Sequence, residues 1–224
     1  ALLGARPAAT RFDDFAQQQR ILDAKANRPR IYDTDCQLPY TAADLKECTA
    51  VENQAGLTVV VVGDSHASHW LPALESIGVR YGWRVLTHIK SSCSLAEIDV
   101  VPPKLGRIYH ECSVWRENLI GRMDVLEPDV IIVGQSTYGF LLLEDDPEAW
   151  RIGLEGTLPR LAASSEHLVL LRDIPRAPWD IPTCLSTAVW KRRDTRECDF
   201  SGSSIEISNQ LSEYEKMVIG KIEN

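Results

Sequence analysis

The polar and apolar positions of this chain switch repeatedly between a strand-like and a helix-like period. The run from Leu57 to Val62 is short, β-branched and non-alternating, which predicts a parallel strand covered on both faces. From Ala67 to Tyr81 the pattern turns helical, with Trp70, Leu74, Ile77 and Tyr81 forming one apolar stripe. A strand over 84–89 follows, then an excursion between Cys93 and Cys112. Next comes a helix near 114–126 with Trp115, Leu119, Met123 and Leu126 on one face. A strand at 129–133, a helix near 147–162 and a strand at 167–171 continue the alternation. Such an order predicts an α/β fold: a three-layer, doubly wound parallel sheet with helices on both faces.

The flanks depart from this rhythm. Residues 1–35 read as an N-terminal arm with a polar helix from Asp13 to Lys25, broken by Arg28-Pro29-Arg30, so 36–224 is expected to form the domain. Residues 36–56 form a polar, turn-rich loop. Residues 173–204 show no sustained periodicity and read as a surface insertion bordering a substrate groove. Ile207, Leu211, Tyr214 and Val218 then mark an amphipathic helix. No further strand follows it, and the expectation is a domain cut short at its carboxyl end.

At 224 residues the chain can bury one sizeable core. A formal charge of -8 and a pI of about 5.2 argue against a nucleic-acid partner and against adhesion to anionic lipid. No run reaches the roughly 18–20 apolar residues that cross a bilayer. The chain starts at Ala1 rather than Met, and the expectation is that a leading segment has been removed.

Six cysteines change the picture more than charge does. In order they form three neighbouring pairs, Cys36 with Cys48, Cys93 with Cys112 and Cys184 with Cys198. Each would close a loop of roughly a dozen to twenty residues, worth on the order of 3 kcal/mol. Six cysteines allow fifteen connectivities, so this pairing is an expectation. None has C-x-x-C spacing, which argues against zinc and against a thioredoxin-like motif. An oxidising compartment is favoured.

The chemistry is expected where the first buried strand ends. Gly63-Asp64-Ser65-His66 places a serine between a strand's carboxyl end and a helix's amino end, where backbone N–H groups favour developing negative charge. This block, with its preceding strand, resembles the first signature of the SGNH (GDSL-like) hydrolases. The wider run from Gly63 to Leu74 resembles the extracytoplasmic SGNH domain fused to membrane-bound acyltransferases that acylate cell-surface glycans. Tyr109-His110-Glu111-Cys112-Ser113-Val114-Trp115-Arg116 and Asp180-Ile181-Pro182-Thr183-Cys184-Leu185 resemble the same branch. The likeness runs from about Ile31 onward.

The resemblance implies Ser65 as nucleophile and Asp64 as a turn-former whose side chain holds the loop. It implies oxyanion donors at Ser65's own N–H, at the loop containing Ser92, and at the third block. There Gly134-Gln135-Ser136-Thr137 stands in place of Gly-x-Asn-Asp, so Gln135 or Ser136 would substitute for the asparagine. The family's base sits in a late Asp-x-x-His motif. This chain contains no such motif and no histidine after His167, so catalytic Asp and His partners are not found and the triad is expected to be incomplete.

Other histidines fit the role of base less well. His66 and His69 begin a helix whose direction is expected to carry them away from Ser65, with His66 shaping the turn. Their spacing lacks a third metal ligand. His88 ends a strand and reads as a structural histidine. His110 lies beside a presumed disulfide, and His167 begins a strand at the opposite edge.

Three functional readings follow. The first is acyl transfer, of an acetyl or other short acyl group, to a cell-surface glycan through a serine acyl-enzyme, with no cofactor. The resemblance implies a membrane-embedded acyltransferase domain of the same polypeptide as partner, on the extracytoplasmic face of the membrane. Water as acceptor would make the same site a carbohydrate esterase. The second is a catalytically inert carbohydrate-binding or scaffolding domain. The third, a flavodoxin-like nucleotide-binding domain, fits poorly because only one glycine precedes Asp64. Trp179 and Trp190, in the insertion, are the candidates for stacking on sugar; Trp70 and Trp115 fall on core stripes.

Overall fold

The computed structural model describes residues 14–137, 146–175, 177–201 and 203–222. The chain forms two compact units, one of residues 29–175 with 205–224 and one of residues 1–28 with 176–204. They divide the chain differently from the sequence-based split at residue 36. Asp13, where the sequence starts the arm's helix, lies outside the described residues.

The larger unit is built on a six-stranded sheet. Its strands are β1 (Gln37–Leu38), β2 (Cys48–Val51), β3 (Thr58–Gly63), β4 (Arg84–Lys90), β5 (Val130–Gly134) and β6 (His167–Leu171). The order is β1-β4-β3-β5-β6, all parallel, with β2 antiparallel on β4. The order reverses direction at β3, and β3 and β5 lie side by side with Gly63 opposite Gly134. In a doubly wound sheet the crevice at this reversal is where ligands bind.

Each central strand buries both faces, which is why its sequence does not alternate in polarity. Val60, Val62, Leu86, Ile131 and Val133 join a core with α3 (His110–Leu126), α4 (Glu148–Ala163) and α6 (Ser203–Ile222). Val59, Val61, Val85 and Ile132 face α2 (Ser65–Tyr81) and Ile31. Three layers result. Of the tryptophans read as core, Trp115 is fully buried.

The stripe read on α2 is corrected by the structure. Trp70, Ile77 and Tyr81 are 43%, 36% and 62% exposed. The buried face carries Ala67, Ser68, Leu71, Leu74 and Gly78 instead. Small residues win here because α2 lies close to the sheet: a Cβ at Gly78 would sit 2.8 Å from Val85. Close approach to the sheet, together with the apolar Leu71 and Leu74, sets this face.

The smaller unit pairs α1 (Asp14–Ala26) with α5 (Ile181–Trp190), the latter within the stretch read as aperiodic. The start of α5 has an ordinary signal. Asp180 caps it by accepting the Thr183 N–H at 2.9 Å, and Pro182 occupies the first turn. Among the described residues, disulfides join Cys36 to Cys48, Cys93 to Cys112 and Cys184 to Cys198. The first ties the β1–β2 loop, the second is buried in the larger core, and the third staples α5 to the turn at 195–198.

Candidate active site

Ser65 is the first residue of α2 and is half-buried at the carboxyl edge of the sheet. The turn that delivers it requires glycine. Gly63 has φ of +136°, and a Cβ there would lie 1.8 Å from the Gly134 carbonyl oxygen. Asp64 then caps α2, its Oδ1 accepting the His66 N–H at 2.8 Å. The N–H of Ser65 belongs to the first turn of α2, which has no intrahelical acceptor.

Two carboxylates brace this turn against the neighbouring strand ends. Both oxygens of Asp64 lie 3.1 Å from the Ser136 N–H, just past β5. Asp173, just past β6, accepts the Thr137 N–H at 2.8 Å and the Thr137 hydroxyl at 3.1 Å through Oδ2. Its other oxygen, Oδ1, lies 2.5 Å from Nδ1 of His66. The loops after β3, β5 and β6 are thereby joined by four side chains.

The electrostatics follow from burial and pairing. Burial pushes Asp64 up to about 6, aided by the charge of Asp173 and opposed by His66 and by the His66 and Ser136 N–H groups. Burial disfavours the His66 cation, but the hydrogen bond to Asp173 and the charges of Asp64 and Asp173 outweigh it, so its pKa is raised. Burial likewise works against the Asp173 carboxylate, yet His66 and the Thr137 N–H hold it below the ordinary range. Both shifts favour the charged partners, so the contact between the His66 ring and Asp173 is strengthened by charge.

The remaining expected residues are dispersed in role. Ser92 has φ of +50°, in a turn closed by the Cys93 N–H on the Lys90 carbonyl, and its hydroxyl pairs with that of Tyr40 at 2.8 Å. Gln135 is 1% exposed, and its Oε1 accepts the Leu95 N–H at 2.9 Å. Its carboxamide thus ties the second loop to β5 from inside, and it does not line an open site. The Ser136 N–H is already given to Asp64. Trp179 and Trp190 belong to the smaller unit and are 44% and 74% exposed. Among the described residues no cluster of His, Cys, Asp and Glu is arranged to hold a metal ion.

His88 is buried on β4 with Nε2 3.4 Å from Glu47 Oε2, while His110 and His167 are exposed. His69 lies 3.4 Å from the Tyr32 hydroxyl, which also reaches the Ser65 carbonyl. His66 departs most from the sequence reading, since the structure ties its ring to Asp173. That aspartate was missed. Its signal is positional: it stands two residues past the carboxyl end of β6, as Asp64 stands directly past β3.

A family model described as "SGNH domain (fused to AT3 domains)" matches residues 35–218 of the chain. The chain belongs to this SGNH domain family. Its structure is also similar to the lipopolysaccharide acetyltransferase periplasmic domain of Salmonella ser. Paratyphi A. That likeness has a TM-score of 0.56 and 13% identity and covers 96% of this chain and 78% of that one. At such identity the likeness speaks for the fold. No curated protein sequence matches. No helix among the described residues of this SGNH domain is long and apolar enough to cross a membrane.

Proposed function

We propose that this domain transfers an acetyl or other short acyl group to a hydroxyl of a cell-surface glycan through an acyl-enzyme on Ser65. The observation that carries the reading is the placement of Ser65. It stands on the amino end of α2, at the reversal of strand order, in a turn braced by two buried carboxylates. Attack of Oγ on a donor carbonyl forms the new ester bond and expels the donor's leaving group. The serine proton departs with the donor's leaving group, and the N–H of Ser65 supports the oxyanion. A sugar hydroxyl then takes the acyl group and restores the serine.

The family description supports a membrane acyltransferase domain of the same polypeptide as the source of the acyl group. Three disulfides among the described residues, and the periplasmic setting of the similar Salmonella domain, support a place outside the cytoplasm. Trp179 and Trp190 are the surface aromatics offered for sugar stacking. Ser65's N–H is the first oxyanion donor, with the Ser92 turn as its companion.

The test is acetyl transfer from a small activated ester to an oligosaccharide, with Ser65→Ala in parallel. Acetylated sugar formed only by the serine-bearing chain supports the reading. Free acetate with no acetylated sugar would make the domain an esterase. No turnover by either chain would favour the inert, glycan-binding reading.

A further inference from the structure

The His66–Asp173 pair is built more carefully than a turn-former needs. The side chains are 16% and 4% exposed, 107 residues apart in sequence, and meet at 2.5 Å. The contacts to Ser136 and Thr137 likewise join separate loops, while the Asp64 cap on His66 fixes the turn itself. Asp64 holds the His66 and Ser136 N–H groups, and Asp173 holds Thr137 twice. The nucleophile's immediate neighbour is thus tied by its backbone to Asp64 and by its ring to Asp173.

We propose that His66 is a positioning residue: with its ring held by Asp173, it locks the Ser65 turn onto the ends of β5 and β6. The inference rests on the acyl-enzyme reading for its consequence in catalysis, but the lock itself is a property of the fold. His66 acts through the turn, not on the substrate. Its neighbours set its sign. Asp64, on its own turn, and Asp173, beyond β6, favour the cation. On α2, His69 faces the same ring at a centroid distance of 5.2 Å, and the Tyr32 hydroxyl reaches His69. Glu215 from α6 and Asp173 repel each other, and Arg172 attracts Glu215.

The linkage is explicit. A histidine with a raised folded pKa contributes stability that is full below about 6.5 and is lost as pH rises through the folded value. Asp173, held low, contributes stability that is present above its unfolded value and is lost as pH falls through the folded one. The charge contribution to the lock is therefore full in mildly acidic solution and is lost on the alkaline side, where a neutral ring can hold Asp173 only by its N–H.

Two readouts test it. The first needs no turnover: NMR titration of the His66 ring together with the Ser65 and Ser136 amides in the intact chain. The amides should titrate with the ring, and in Asp173→Asn the ring's pKa should fall while the amides cease to follow it. The second is ester turnover. His66→Ala should lower kcat about 10- to 100-fold with KM little changed. His66→Gln, which keeps an N–H donor for Asp173, should recover most of that loss and lack the alkaline fall in rate.

Amides that ignore the ring's titration overturn the proposal. So does a His66→Ala chain with the wild-type kcat, or a His66→Gln chain as inactive as Ser65→Ala, which would make His66 a catalytic base. If wild type and Ser65→Ala do not differ in turnover, the acyl-enzyme reading fails instead. The amide titration then still decides the lock.

Discussion

The carboxylate of Asp64 receives the Ser136 N–H with both oxygens at 3.1 Å, so the residue before the nucleophile is fastened to the end of the neighbouring strand. The same group caps α2. One side chain therefore sets both the start of the helix and its distance from β5.

Removing it should be felt twice. Asp64→Ala loses a helix cap, about 1 kcal/mol, and leaves a buried N–H without its acceptor, about 1–3 kcal/mol. Asp64→Asn keeps an oxygen in place and should fold nearly as well as wild type. Chemical denaturation of the three chains checks the order, wild type and Asn above Ala.

Gly134 tests how closely α2 must approach. A Cβ there would lie 2.8 Å from Cα and 3.2 Å from N of Ala67, both backbone atoms one turn into the helix. Gly134→Ala should push the amino end of α2 away by a few tenths of an ångström. We expect ester turnover to fall by on the order of tenfold or more, out of proportion to the lowering of the melting temperature. Equal losses of both would argue that the spacing serves stability alone.

Much of this arrangement could be read from the chain, and the failures share a cause. The valine run of β3 and the strand–helix alternation identify a doubly wound sheet because the central strands bury both faces. The placement of Ser65 follows from the same run. Tertiary proximity is what periodicity cannot give. The contact of Gly78 with Val85 hides the true buried face of α2, and α5 is short, with only Ala188 and Val189 buried. Asp173 is one carboxylate among many until β6 is seen to end beside β5. On α6, Ser208, Ser212 and Glu215 lie beside the apolar stripe rather than on it, yet they are 2%, 4% and 4% exposed.

Glu215 gives a pH prediction. Burial and the charge of Asp173 push its carboxyl up to about 7, against the pull of Trp150, Gln135 and Arg172. A carboxyl with a folded pKa above its unfolded value favours folding when protonated, so stability should fall as pH rises from about 4.5 to about 7. The whole effect is on the order of 3 kcal/mol. Glu215→Gln should flatten this part of the stability profile and be more stable than wild type at pH 8, as read by urea denaturation across pH. A variant with the wild-type slope would show that the group is not the source.

Lys90 is a further buried ionisable group. Its ammonium donates to the carbonyls of Pro39, Tyr40 and Ala42 and lies 5.0 Å from the centre of the Tyr109 ring, with its pKa lowered to about 8 by burial. Lys90→Met removes the donor and leaves three carbonyls facing an apolar chain. A loss of about 2–4 kcal/mol is expected. Because Tyr40 also holds the Ser92 hydroxyl, hydrogen exchange in the 90–93 turn should quicken in the same variant.

The most direct measurement is intact-mass and peptide analysis of the chain after brief exposure to an activated acetyl ester, beside Ser65→Ala. The account predicts one acetyl group on the peptide carrying Ser65, absent from the variant and discharged when an oligosaccharide is added. Ester consumption without acetyl on that peptide, or equal acetylation of the Ser65→Ala chain, would contradict it.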